Sequence, residues 1–290
     1  MYIGIDHGTT AMRFSTGVTG FRISRQDARG FTIDDLTRLA PLDEIEGIAV
    51  CYSMGDGISA VTDIRRVPDR GVITREGAGE HIGGGTRVFD AVRSSGIPAV
   101  VVPGIHRGSP TDPRLKAYSH QASPEKVGIA CRVSGDLGPD VVVSDCSSNT
   151  VTMLVTAGRI TGALDACVFA PGTTHGALDV EAIREIDRGE ITANRAFMRA
   201  GVDQTLPEGD RIPALALFAA MECAALLLLN PVAEVAVAGS MAPAVCDQME
   251  ALLERPVAVY DEWCASEGLA LLARRVFSGA REVLGLPVDL

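Results

Sequence analysis

One local pattern occurs twice, and it limits the fold more than any other feature of the sequence. An apolar strand ends in an aspartate, small polar residues follow, and alternating hairpin strands come next. "YIGIDHGTTAMRFS" carries the pattern from Tyr2, and "DVVVSDCSSNTVTMLVTAGRITGALDA" carries it from Asp140. Short alternating runs separated by glycine-containing turns read as β-hairpins. Helical periods and buried strands follow each meander. The chain is therefore expected to be α/β, with two lobes built on one plan. The boundary falls near Gly138, giving an N-terminal lobe over 1–138 and a C-terminal lobe over 139–290. No low-complexity or Pro/Ser-rich run separates them, so close packing about a hinge is expected.

Within the first half, "TIDDLTRL" reads as a helix starting at Thr32. "GIAVCYS" is a buried strand, 58–85 an irregular insertion that would serve a substrate, "TRVFDAVRSSG" a helix and "PAVVVPGI" a strand. Ser123, Pro124 and Glu125 form a strong helix start. The most apolar stretch, Ala214–Asn230, lies between Pro213 and Pro231 and contains Glu222. It is shorter than the ~20 residues of a membrane span and reads as a buried helix.

The 290 residues carry a formal charge of −11, which argues against nucleic-acid or anionic-membrane partners. Hydrophobic residues make up 47%, enough to fold most of the chain. The seven cysteines are scattered without a CxxC, and no basic-then-apolar segment opens the sequence. A reduced, cytoplasmic protein is the expectation. No His/Cys spacing suggests structural zinc.

The aspartate tips carry the chemistry. In Asp6-His7-Gly8-Thr9-Thr10 the glycine lets backbone approach a ligand closely, successive N–H groups can cradle an anion, and both threonines add donors. Asp6 would not bind phosphate itself but can hold hydrated Mg²⁺, which uses few protein carboxylates. The alternative is an ordinary hairpin turn. The second tip repeats the arrangement, with Asp145 ahead of Ser147, Ser148, Asn149 and Thr150, so the two could grip a polyphosphate from both sides. Gly239-Ser240 ends the strand "VAVAGSM", where a side chain would obstruct a flat adenine or ribose. His106-Arg107 follows a buried strand and could neutralise an acyl or phosphoryl group in a substrate site; the alternative is a surface loop. His175 in "PGTTHGALD" could polarise an acceptor or satisfy a loop carbonyl. "GEHIGGGTR" is a glycine-rich loop ahead of a helix, without GxGxxG spacing or a Walker lysine.

Three elements in this order resemble the superfamily of sugar kinases, actin and heat-shock chaperone ATPases. The resemblance implies a two-lobed actin-like ATPase fold of duplicated ribonuclease H-like domains, with a nucleotide cleft between the lobes. Asp6, Gly8, Thr9 and Thr10 match its phosphate-1 motif. Asp145, Ser147, Ser148, Asn149 and Thr150 match phosphate-2, and Gly239 and Ser240 match the adenosine motif. Ser240 departs from that motif, where a second glycine is usual. ATP and Mg²⁺ are the implied cofactors, with Asp6 and Asp145 holding the metal through water. "SDCSSNTVTMLVTAGRITGALDA" and "PGTTHGALD" look especially like the acetate and butyrate kinase branch. With "GIDHGTT" and "CYSMGDGI" the chain looks most like the methanogenesis marker protein 12 family of methane-producing archaea, whose activity is unsettled. The resemblance thus implies a kinase-like phosphotransferase or ATPase; Asp6, Asp145 and His175 are the catalytic candidates, the last on its own loop sequence. The alternatives are an ATP-driven switch serving a methanogenesis-related protein and a nucleotide-binding relic. A homodimer is compatible with each.

Overall fold

The computed structural model describes residues 1–74 and 83–290. In chain order the strands and helices are β1 (Tyr2–His7), β2 (Ala11–Ser15), β3 (Gly20–Ser24), β4 (Gly47–Val50), β5 (Val61–Asp63), α1 (Gly85–Ser94), β6 (Ala99–Val101), β7 (Ile105–His106), β8 (His120–Ala122) and α2 (Pro124–Leu137). There follow β9 (Val141–Cys146), β10 (Thr150–Thr156), β11 (Arg159–Leu164), α3 (Val180–Asp187), α4 (Ala193–Phe197), α5 (Val202–Thr205) and α6 (Glu208–Leu227). Last come β12 (Glu234–Ala238), α7 (Ala242–Leu253), β13 (Val257–Val259), α8 (Cys264–Phe277), β14 (Glu282–Val283) and β15 (Leu286–Asp289).

Two sheets share one plan. The first runs β14-β15-β5-β6-β4-β1-β2-β3 and the second β11-β10-β9-β12-β13. In the first, β1 pairs antiparallel with β2 and parallel with β4. In the second, β9 pairs antiparallel with β10 and parallel with β12. Each aspartate-bearing strand is therefore central, with its hairpin on one side and a parallel strand on the other. Central position explains composition. β1 and β9 are covered on both faces, so β1 is apolar up to Asp6 and β9 up to the small buried Ser144 before Asp145.

Several expectations change in detail. The segment from Thr32 forms a 3-10 helix, Ile33–Arg38, rather than an α-helix. Part of the insertion is ordered as β5, which pairs with β6. "GEHIGGGTR" lies in part outside the described residues. The last strands do not stay with the second sheet, as 139–290 was read. β15 pairs in parallel with β5, Val288 opposite Val61, and joins the first sheet. The cause is α8, which packs on β1 and β4 as well as on α2 and so carries the chain back across.

α2 and α8 meet backbone to backbone. A Cβ on Gly268 would lie 1.8 Å from the carbonyl oxygen of Gly128. No side chain fits there unless the helices separate. Gly268→Val is expected to cost about 3 kcal/mol, the upper range for overpacking a well-filled core. Denaturant midpoints check this, and an unchanged midpoint would mean that the two helices tolerate separation.

The apolar stretch forms α6, which begins at Glu208 and takes Pro213 inside its second turn. It is covered on one face only, since Leu217 and Met221, and Leu228 at its C-cap, are exposed. Among the described residues no helix is long and apolar enough to cross a membrane. Glu222 is fully buried, and accepts hydrogen bonds from the Thr152 hydroxyl at 2.7 Å and the Ala170 N–H at 3.3 Å. Burial outweighs those bonds and pushes its carboxyl up to about 8. Between pH ~4.5 and ~8 the folded state holds a proton that the unfolded state has released, so stability must fall as pH rises across that window. Glu222→Gln is expected to flatten this slope by Glu222's own share, on the order of 4 kcal/mol across the window, and to leave the share of Asp6, whose carboxyl burial also raises. Urea midpoints of both proteins at pH 5.5 and 8.5 test it; parallel pH dependences would refute it.

Candidate functional site

The two aspartate tips meet. Asp6 and Asp145 are the penultimate residues of β1 and β9, and both border one cleft of about 210 Å³. Across it the Ser148 hydroxyl donates to Thr9 Oγ1 at 3.1 Å, a direct contact between turns 139 residues apart. Gly8, Thr10, Ser147, Asn149, Gly239 and Ser240 border the same cleft. Thr150 does not, because its hydroxyl turns into the protein and donates to the Pro171 carbonyl at 2.7 Å.

Both aspartates are nearly covered, Asp6 being 4% and Asp145 6% exposed. Their partners come from elements that the motifs do not include. Lys126, in the first turn of α2, reaches Asp145 Oδ2 at 2.5 Å and Glu125 Oε1 at 3.1 Å. Burial works against its charge, yet Asp145 and Glu125 outweigh burial and hold the ammonium above its ordinary value. Arg13 on β2 lies 3.5 Å from Asp6 Oδ2 and binds Glu262 at 2.6 Å. Among the described residues Asp6 Oδ1 has no hydrogen-bond partner, although it is buried. Burial and the Glu125 and Asp145 charges push the Asp6 carboxyl up to about 7, against Arg13 and Lys126.

Five carboxylates, Asp6, Glu125, Asp145, Asp261 and Glu262, border the cleft against two cationic side chains, Arg13 and Lys126. A bare polyphosphate would be repelled by such a surplus, whereas one carrying a divalent cation would be neutralised. Among the described residues no three metal-ligating groups stand close enough to hold a bare ion. That donor set suits Mg²⁺, which keeps its waters and takes one or two carboxylates.

Gly239 has a different neighbour from the one expected. Its φ is +97°, and a Cβ would lie 2.2 Å from Asp145 Oδ1 and 2.6 Å from the Cys146 carbonyl oxygen. In this state the glycine makes room for the second aspartate before it makes room for any base.

The "PGTTHG" loop straps onto the second tip. Thr173 N–H donates to Ser147 O, and the N–H groups of Thr174 and His175 donate to Ser148 O, all at 2.9 to 3.1 Å. Thr173 and Thr174 thereby reach the cleft. His175 turns away from it. Its ring stacks on Phe197 at 4.9 Å, and burial pushes the imidazole below its ordinary value. His106 and Arg107 lie away from the cleft as well. The His106 ring stands against Ile58 O and Ser59 Oγ, and Arg107 donates to the Lys116 and Ala117 carbonyls. Sequence reasoning missed Lys126, Arg13, Glu125, Thr173, Thr174, Asp261 and Glu262. Only Lys126 carried a signal, as a lysine in the first turn of a capped helix, where cations are disfavoured.

The fold and cleft define the class: a two-lobed protein of the sugar kinase, acetate kinase and actin-like ATPase architecture. Acetate kinases from Porphyromonas gingivalis and Entamoeba histolytica superpose with TM-scores of 0.53, each at 10% identity, over 92% and 94% of this chain and 90% and 98% of theirs. A ROK family glucokinase from Streptomyces griseus gives 0.50 at 16% identity over 94% of this chain and 99% of its own. No protein-family model matches. The chain belongs to the UPF0285 family: the UPF0285 proteins of Methanosarcina barkeri and Methanococcus maripaludis are 42% and 39% identical to it, over 99% of each chain.

Proposed function

We propose that this protein binds ATP with Mg²⁺ between its lobes and transfers the γ-phosphoryl group to a small acceptor or to water. The observation that carries the reading is the cleft itself: two hydroxyl-rich turns in contact through Thr9 and Ser148, each with a buried aspartate behind it. The glucokinase structure contains glucose and AMPPNP, consistent with this use of the fold. The hydroxyls of Thr9, Thr10, Ser147, Ser148, Thr173 and Thr174 would hold phosphate oxygens. Asp6 and Asp145 would hold the metal through its waters, and the Lys126 ion pair would fix the orientation of the Asp145 carboxylate. When bound, Mg²⁺ neutralises charge on the β- and γ-phosphates. Positioning and charge neutralisation would carry most of the catalysis.

The cleft is smaller than the ~300–1,000 Å³ of ordinary ligand pockets. The polyphosphate would occupy it first, and opening by rotation about α2 and α8 would admit the base beside Gly239 and Ser240. We place the lobe boundary near Gly138, with the segment from α8 onward working with the N-terminal lobe. The family's methanogen hosts and the quoted motifs support the finer reading as methanogenesis marker protein 12, acting in the cytoplasm.

A second reading, an ATP-driven switch for a methanogenesis-related protein, is favoured by the apolar residues exposed along the later turns and C-cap of α6, Leu217, Met221 and Leu228. Calorimetry with ATP and AMPPNP, with and without Mg²⁺, tests the common part. Binding that strengthens with Mg²⁺ is expected, and no nucleotide binding would overturn both readings. A phosphorylation screen of small metabolites run beside a pull-down then separates them.

A further inference from the structure

A second cavity of about 350 Å³ lies in the N-terminal lobe, beside the cleft. Tyr52, Ser53, Asp69, Arg70 and Thr86 are among the residues that line it. One residue joins the two linings. His7 borders the cleft, its Nδ1 accepts from the Ser53 N–H at 3.3 Å, and its ring stands 5.2 Å from that of Tyr52.

The walls are held in unusual backbone. Six non-glycine residues in the described chain have positive φ, and three of them, Ser53, Asp69 and Arg70, border this cavity. Such conformations cost energy and persist where surrounding structure enforces them, often at ligand sites. Here the enforcement is visible. Arg70 is fastened to Asp90 by two bonds of 3.1 and 2.8 Å, and the Tyr52 hydroxyl lies 2.7 Å from Thr86 Oγ1.

The lining chemistry selects the ligand. Tyr52, Ser53 and Thr86 offer hydroxyls that both donate and accept. Asp69 offers a carboxylate, and the Arg70 charge is already matched by Asp90. Among the described lining residues no unpaired cation faces the space, so a carboxylate or phosphate ligand would meet Asp69 without compensation.

We infer that this cavity binds an uncharged, polyhydroxylated small molecule, the acceptor for the phosphoryl group held in the cleft. The inference rests on the ATP reading for the transfer step alone. In that step a ligand hydroxyl oxygen bonds to the γ-phosphorus. The bond from that phosphorus to the bridging oxygen breaks, its electron pair leaves on ADP, and the hydroxyl proton passes to a cleft carboxylate. Asp69 disfavours a carboxylate acceptor, of the kind an acetate kinase-like chain suggests, on the same electrostatic ground.

Calorimetry on the full chain tests this with uncharged polyols from glycerol and myo-inositol to hexoses, against acetate and butyrate, each with and without Mg·AMPPNP. At least one polyol is expected to bind, and neither carboxylate. Tyr52→Phe and Thr86→Val remove one hydroxyl each with little change of shape. Each should weaken that polyol tenfold or more and leave Mg·AMPPNP affinity within twofold. Normal nucleotide binding with no polyol binding overturns the inference, as does tighter binding of acetate or butyrate, or polyol affinity unchanged in both variants. Loss of nucleotide binding in the wild-type protein would instead refute the ATP reading, and the polyol titration without nucleotide would still decide the cavity.

Discussion

Asp145→Ala is expected to abolish magnesium-dependent turnover and to weaken Mg·ATP binding more than binding of ATP alone. Asp145 would act on the nucleotide through the metal's waters, so its removal should be felt chiefly when the metal is present. It has a second role in the fold. Lys126 is buried and lies 2.5 Å from Asp145 Oδ2, and truncation leaves that ammonium with Glu125 alone. Breaking one side of a buried ion pair costs roughly 3–5 kcal/mol. The single variant should therefore melt earlier as well as lose activity. Asp145→Ala combined with Lys126→Met separates the two roles. The pair should recover much of the stability, since no buried charge is left uncompensated, and none of the magnesium effect. Calorimetry with and without Mg²⁺ on both variants decides the matter. Equal losses of affinity in the two conditions would show that Asp145 supports only the fold.

Much of this architecture was legible because its decisive strands are central. Apolar runs that lead, directly or through one small residue, to a charge at Asp6 and Asp145 are what buried strands ending at a cleft look like. Repeating them in one chain implies two such strands facing each other. The contact between Thr9 and Ser148 realises that expectation. What failed to show was whatever the third dimension supplies. Lys126 sits in a helix start that advertises capping, and Arg13 alternates in β2 like any surface residue. Nothing in either local pattern says that they converge on the same carboxylates. His106 and His175 show the opposite error. Rare, reactive side chains draw attention in a sequence, but the first stands against Ile58 O and the second stacks on Phe197. The return of β15 to the first sheet was hidden for a related reason. A terminal strand's partner is set by where α8 leaves the chain, and periodicity carries no record of that.

Gly239→Val is expected to weaken Mg·ATP and Mg·pyrophosphate together, by tenfold or more each. A glycine that only clears space for adenine would give a different result, a loss for ATP with pyrophosphate unaffected. Geometry favours the joint loss. At φ +97° a β-branched side chain is strained wherever it points. Its Cβ would also lie 2.2 Å from Asp145 Oδ1 and 2.6 Å from the Cys146 carbonyl oxygen. The carbonyl belongs to β9 and cannot yield easily, so the Asp145 carboxylate must turn. Turning it disturbs both the Lys126 pair and any metal held between the tips. The phosphate end of the site is thus wired to the strand that ends in the adenosine motif, through Ala238 opposite Asp145 in the parallel β9–β12 ladder. Calorimetry on the folded variant with Mg·ATP, Mg·pyrophosphate and adenosine tests this wiring. Pyrophosphate binding at the wild-type level beside weakened ATP would sever it, and would return Gly239 to the role of a floor for the base.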